Sequence, residues 1–332
     1  MYNKTCALLI LGLLAGNLFS AETPGWLKGL KVKGDLRLRV EGKDSDNAVK
    51  NRNRARFRLR LAVDKQISDS LAVGIRLASG SGDPTSTNQT FDSSFSGKDF
   101  VLDRAYLTYK TEGGWELGGG KVKNPFHSSD IVWDTDVNPE GFYQRYTSEG
   151  GFYVTLGEMV VEEEKTGNDV NLYAGQVGYK TGERAKWNMS AAWYSYDNLL
   201  QSDTSSSKYQ FIDLLASVKM QRVKLTFDYV KNTSSDIDDQ DTAWSVYADF
   251  GSAKKPGDWT FQVKYAEIEA TSVWGPLADS DFGFTDKEGF VGRVGYKANK
   301  HVSWNASAFG IDGIQDTDSG FNYLQMDCAV KF

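Results

Sequence analysis

From Leu30 onward the chain alternates apolar and polar residues with a period of two. Leu30, Val32, Leu36, Leu38 and Val40 are interleaved with Lys31, Lys33, Asp35, Arg37 and Arg39. Ala55, Phe57, Leu59, Leu61 and Val63 are likewise interleaved with Arg52, Arg54, Arg56, Arg58 and Arg60. This alternation places the apolar side chains on one face of a sheet and the charges on the other. A soluble sheet alternates too, so the period predicts strands without identifying what surrounds them.

The spacing of the strands is more informative. The pattern predicts strands near 30–41, 51–63, 70–79, 99–110, 114–123, 141–147, 151–161 and 169–180. It continues with 186–196, 209–220, 222–231, 241–250, 258–269, 288–297, 301–311 and 321–332. That is about sixteen, an even number, as single-chain bacterial barrels require. The connections at Asp64–Asp69, Thr111–Gly113, Ser148–Gly150 and Met220–Arg222 are short. Those near 80–98, 124–140, 197–208, 232–240 and 270–287 are long and polar. Short turns on one rim and long loops on the other are the outer-membrane pattern, with the long loops on the outer side if the N-terminus is periplasmic. The fold class expected is therefore all-β, a transmembrane antiparallel up-and-down β-barrel.

Aromatic residues support the membrane reading. Trp115, Trp187 and Trp259 each open a strand after a short turn, and Tyr179, Phe250 and Tyr296 each close one before a turn. Amphipathic rings favour the membrane–water interface, so these predict a periplasmic girdle. In the last strand Leu324, Met326, Cys328, Val330 and Phe332 point one way, and Tyr323, Gln325, Asp327 and Lys331 the other. Such a strand ending in Phe332 resembles the assembly signal of outer-membrane barrels, which implies the barrel-assembly machinery as a partner.

Composition narrows the picture further. Gly is abundant at 33, Pro scarce at 6, and aromatics reach 13%, as many short strands joined by tight turns would give. Lys4 followed by the apolar run 7–14 and small residues up to Ser20-Ala21 reads as a secretory signal peptide over residues 1–21, leaving 22–332 as the barrel. No later run approaches eighteen apolar residues. Cys6 lies in the leader, so Cys328 has no partner for an intramolecular disulfide. The net charge of −6 does not suggest nucleic-acid binding.

Catalytic signatures are missing. His127 and His301 are the two histidines, and there is no G-x-S-x-G or H-E-x-x-H. His127-Ser128-Ser129 suggests a lipase-type barrel only superficially, because adjacent residues do not readily form a nucleophile–base pair. No enzyme, cofactor or metal is expected. The Asp-rich stretch Asp236, Asp238, Asp239 and Asp241 lacks the glycine and closing glutamate of a hand-type calcium loop. It reads as a solvated loop that could bridge divalent ions at the lipopolysaccharide surface.

GDLRLRVEG at 34–42, NRNRARFRLRLAV at 51–63, LDRAYLTY at 102–109, LGGGKVKNPF at 117–126 and WDTDVNPEGFYQRY at 133–146 resemble the putative porins of bacterial outer membranes. The resemblance is clearest over residues 30–147. It implies a bacterial outer-membrane barrel and passive or weakly selective transport of small hydrophilic solutes. Many porins are trimers, and a homotrimer is compatible with this chain.

About sixteen strands enclose an aqueous channel, whereas eight are filled by side chains. By parity, Arg37, Arg39, Arg52, Arg54, Arg56, Arg58, Arg60, Arg76 and Arg104 face inward as a basic wall. Turning each toward lipid would cost about 2–4 kcal/mol near the midplane. In general porins the loop at the position of 124–140 folds into the pore. By that analogy Asp130, Asp134, Asp136 and Glu140 would face the arginines across an electrostatic constriction; the alternative is an ordinary solvated surface loop. Three rivals remain at this level. One is a substrate-selective channel with Tyr106, Tyr194 and Tyr196 as a sugar slide. The second is a closed structural or adhesive barrel, and the third a soluble β-sandwich.

Overall fold

The computed structural model describes residues 29–202, 205–234 and 239–332. The expected signal peptide, with Cys6, and the loop residues Asp236 and Asp238 lie outside them. The strands are β1 (Leu30–Ser45), β2 (Arg52–Gln66), β3 (Leu71–Ser79), β4 (Gln89–Thr90), β5 (Phe100–Lys110), β6 (Trp115–Lys121), β7 (Glu140–Thr147), β8 (Phe152–Glu162) and β9 (Val170–Thr181). They continue as β10 (Ala185–Ser202), β11 (Ser205–Met220), β12 (Val223–Asn232), β13 (Thr242–Gly251), β14 (Trp259–Ile268), β15 (Lys287–Lys297), β16 (Val302–Gly313) and β17 (Phe321–Lys331).

All pairings are antiparallel, and β1 pairs with β17 to close a barrel. The two-residue β4 is a loop segment laid against the outer end of β2, through Arg56↔Thr90 and Phe57↔Gln89. The other sixteen strands form the wall, and each overlaps one expected from the period-two pattern. A closed barrel leaves no edge, so every strand's backbone polar groups can be satisfied within the sheet, as a bilayer requires.

Alternation sorts the faces as the charges demand. On β1, Leu38 and Val40 are about half exposed toward the outside of the barrel, while Arg39 and Glu41 between and beside them are buried inside. The turn-side rings Trp115, Trp187, Trp259, Tyr179 and Phe250 stand on the outer surface. Trp259 packs on Tyr296 at 4.7 Å between centroids, as paired girdle rings would.

The seam depends on a glycine. Gly34 and Phe332 exchange backbone hydrogen bonds of 2.8 and 3.0 Å. The Phe332 ring lies over Gly34, where an added Cβ would fall 2.4 Å from a ring carbon. Gly34→Val is therefore expected to displace the ring and weaken closure by about 1–3 kcal/mol, the usual cost of overpacking. Urea unfolding in detergent, followed by heat-modifiable gel mobility, measures this.

The hydrophobic core lies between the wall and two connections folded into the lumen. Phe126, Ile131, Val132, Trp133 and Val137 come from the β6–β7 connection, and Val273, Ala278 and Phe282 from the β14–β15 connection. They pack on Leu172, Tyr194, Tyr196, Phe211, Val230 and Ile311 of the strands. The second connection corrects the expectation of a polar outer loop over 270–287. Its Val273, Trp274, Leu277, Ala278 and Phe282 are too apolar to stay in water, and they turn inward. Tyr194 and Tyr196 are buried in this core, at 0% and 1% exposure, so they cannot serve as a sugar slide. Tyr106, the third ring of that idea, donates to Asp64 at 2.9 Å.

Candidate functional site

The arginine face of β1 and β2 meets more carboxylates than the loop alone would supply. Arg39 makes a two-pronged contact with Asp327 of β17, at 2.7 and 2.9 Å. Arg54 and Arg56 reach Glu41 at 2.5 and 3.5 Å, and Arg58 and Arg60 share Asp35 at 2.8 Å each. Arg76 pairs with Asp103. These four acids stand on the barrel strands themselves. Asp35, Glu41 and Asp327 could have been found by the same parity that turned the arginines inward, since they share their face, whereas Asp103 beside Arg104 could not, because the ladder shifts register there. Like charges on neighbouring strands become tolerable when interleaved carboxylates screen them.

The remaining predicted residues fall into distinct places. Arg104 has no carboxylate at bonding distance and donates to Asn138 Oδ1 at 2.7 Å, which ties the β6–β7 connection to β5. Arg37 donates to Asn88 at 2.7 Å and lies 3.8 Å from Asp327. Arg52 is exposed at the first residue of β2, at the rim.

Among the loop acids, Asp136 faces the wall, 3.4 Å from Arg60 and 3.8 Å from Arg58. Asp130 and Asp134 form no ion pair with its arginines. Asp130 accepts from Lys264 Nζ at 2.6 Å and from Tyr247. Asp134 accepts from the Ser280 backbone and hydroxyl at 3.1 and 3.2 Å. Glu140 departs from the expectation of a constriction acid. It is the first residue of β7, exposed, and it pairs with its ladder partner Lys121 at 2.7 Å. The strand begins one residue earlier than expected, on the last residue expected in the loop, so the sheet register carries this side chain away from the wall.

Two infolded connections are stitched to each other and to the barrel. Asp134 N–H donates to Leu277 O at 2.6 Å, and Asp279 N–H to Asp130 O at 3.0 Å. Lys264 of β14 is fully buried beneath them, 3.5 Å from Asp279 as well as 2.6 Å from Asp130, with the Phe282 ring 4.6 Å from its ammonium. Sequence reasoning missed Lys264, whose position on an inward face was its sole signal. His127 meets Ser190 at 3.0 Å rather than either neighbouring serine, and its backbone exchanges hydrogen bonds with Gln176 at 2.8 and 2.7 Å. Burial, with Lys224 and Lys180 nearby, lowers its pKa to about 4, so it anchors the loop as a neutral ring.

Between the wall and the two connections lies a cavity of about 370 Å³. Arg37, Arg58 and Arg293 line it opposite Asp130, Asp134, Asp136, Asp279 and Asp281, and the β3–β5 connection adds Thr85, Ser86 and Asn88. Opposed charges across a narrow aqueous gap filter solutes by size, charge and dipole. Burial pushes Asp134 up to about 7, with Asp279 adding to the rise. Burial and the neighbouring Asp130 push Asp279 up to about 6, against the pull of Lys264. Both carboxyls therefore lose their negative charge as the pH falls through near-neutral values. No cluster of three or more His, Cys, Asp or Glu side chains is arranged to hold a metal among the described residues.

A family described as putative porins matches this sequence over residues 43–234 and 207–332. Among solved structures, the fold is similar to OprB of Pseudomonas putida in its high-pH structure, with TM-score 0.65 and 12% identity over 92% of this chain and 94% of that one. It is also similar to Salmonella typhi OmpF in complex with daunomycin, with TM-score 0.63 and 10% identity over 91% and 97%. A triple mutant of the Rhodopseudomonas blastica porin gives TM-score 0.58 and 11% identity over 91% and 100%. At these identities the likeness is one of fold. No curated protein matches the sequence significantly.

Proposed function

Since the chain belongs to the family of putative porins and closes into a sixteen-strand barrel of the porin kind, we propose that it is an outer-membrane channel for passive diffusion of small hydrophilic solutes, whose weak ion selectivity is set between the β1–β2 arginines and the two infolded loops. The observation that carries this reading is the cavity left between the cationic wall and the acidic loops. Three arginines against five carboxylates give that gap a balance that protonation can tip.

Refolded protein in a planar bilayer under a salt gradient tests the proposal. Stepwise currents are expected, with a reversal potential close to zero at neutral pH. Acidification from about pH 8 to about pH 5 is expected to shift that potential toward anion preference, because protonating Asp134 and Asp279 removes negative charge and leaves the arginines unchanged. A potential that does not move with pH would remove these two loop acids from the selective region. No current from protein shown to be folded in the membrane would sink the channel reading.

The proposal extends to biogenesis and assembly. The first 21 residues direct export, and the strand ending in Phe332 engages the barrel-assembly machinery. Association into a homotrimer would cover the apolar concavity of about 650 Å³ on the outer face, where Leu38, Val40, Phe91, Trp304 and Met326 meet. The polar outer loops would contact lipopolysaccharide.

A further inference from the structure

Behind the β6–β7 connection, two carboxylates are buried together without a cation. Asp213 of β11 and Asp228 of β12 stand on the inward face, at 1% and 0% exposure. They are diagonal neighbours across the β11–β12 ladder, with Asp213 opposite Val230 and Asp228 two residues along from it. Asp228 accepts a hydrogen bond from Ser129 of the infolded connection. Its second oxygen and both oxygens of Asp213 meet no donor. Neither acid forms an ion pair with any described lysine or arginine, and the neighbouring Lys264 is already held by Asp130 and Asp279.

Three further oxygens share this surface, and each is more than nine-tenths buried and without a hydrogen-bond partner: Tyr194 OH, Ser245 Oγ and Thr226 Oγ1. The sheet register brings them together. Ser245 is directly opposite Asp228 on β13, and Thr226 is two residues along β12 on the same face. Tyr194 is two residues from Ala192, which faces Asp213 across β10–β11. Each hydroxyl could donate to a carboxylate, yet none reaches one. These oxygens lie on one inward patch of four adjacent strands, and none of them bonds to another.

The chemistry of that patch is specific. A water molecule would satisfy hydrogen bonds but leave two negative charges buried, which is the costly part. Every candidate ligand atom is oxygen, as a hard cation requires, and a dication balances both charges. Calcium accepts six to eight oxygens in irregular geometry with carboxylates bound through one or both atoms, whereas magnesium demands a near-ideal octahedron. Hydroxyls here take the place of a third carboxylate. We propose that Asp213 and Asp228, with the hydroxyls of Ser245, Thr226 and Tyr194, form a calcium site behind the constriction. Through Asp228 and Ser129 the ion fastens the infolded connection to the wall.

The test is calcium binding to folded, detergent-solubilised protein stripped with a chelator, titrated with calcium chloride alone. One ion per chain is expected, together with terbium luminescence excited through Tyr194 and Trp133. Asp213→Asn with Asp228→Asn is expected to abolish both signals. Ser129→Ala, which leaves the barrel strands intact, is expected to weaken binding by about 10-fold or more, as loss of a partner to a ligating carboxylate usually does. Heat-modifiable mobility of each variant shows that it has folded. Absence of stoichiometric uptake by the folded wild type would overturn the proposal, as would unchanged binding in the double variant. A carboxylic-acid carbonyl band in the infrared that persists in calcium and vanishes in the double variant would also overturn it, because the pair would then share a proton.

Discussion

Replacing Lys264 by Met is expected to raise single-channel conductance and to lower the stability of the folded barrel. The ammonium is fully buried and holds one carboxylate from each infolded connection, Asp130 at 2.6 Å and Asp279 at 3.5 Å. Removing one partner of a buried ion pair typically costs about 3–5 kcal/mol, because the other charge is left without compensation. Asp130 and Asp279 relieve that cost by moving into water, and both connections go with them, since Asp279 N–H bonds to Asp130 O and Asp134 N–H to Leu277 O. The lumen then widens. Planar-bilayer recordings read the conductance, and thermal loss of heat-modifiable mobility reads the stability. Adding Asp130→Asn and Asp279→Asn to Lys264→Met should restore much of the stability, because neutral amides leave no charge to expel. A conductance unchanged in folded Lys264→Met would show that the loops hold their place by apolar packing alone.

The second large effect is expected from the wall. Arg37→Ser with Arg58→Ser should drive the channel toward cation preference. Both arginines line the cavity, and neither charge is fully committed elsewhere: Arg37 has an amide at 2.7 Å and a distant Asp327, and Arg58 shares Asp35 with Arg60. A unit charge about 4 Å from a passing ion in water is worth about 1 kcal/mol, roughly fivefold per arginine, so the pair should change the permeability ratio by more than about tenfold. Arg54→Ser with Arg56→Ser is the informative comparison. Those side chains share Glu41 and do not line the cavity, so their loss removes charge outside the gap. The reversal potential should move far less. Equal shifts in the two double variants would show that selectivity follows the total charge of the wall rather than the groups at the cavity.

Much of the barrel was legible because a strand's two faces are written at period two. The lipid face tolerates no charge, so Arg37, Arg39 and the β2 arginines had one side available, and the sixteen wall strands followed from that and from the turns. The same reasoning could have turned Asp35, Glu41 and Asp327 inward with them. Alternation states which face a residue takes, but not how far it lies from residues on distant strands. Arg39 meets Asp327 across a seam between the two ends of the chain, and Lys264 meets Asp130 across 134 positions. Those encounters depend on how the sheet closes. The tertiary structure alone decided that the β14–β15 connection turns inward beside the β6–β7 connection, that Tyr194 is covered by Phe126 and Trp133 and Tyr196 by Trp274, and that Asp130 and Asp134 bind loop and barrel instead of pairing with the arginines. The reason is physical: a connection carries no period to fix its direction, and its path is set by where its few apolar residues find a surface to cover.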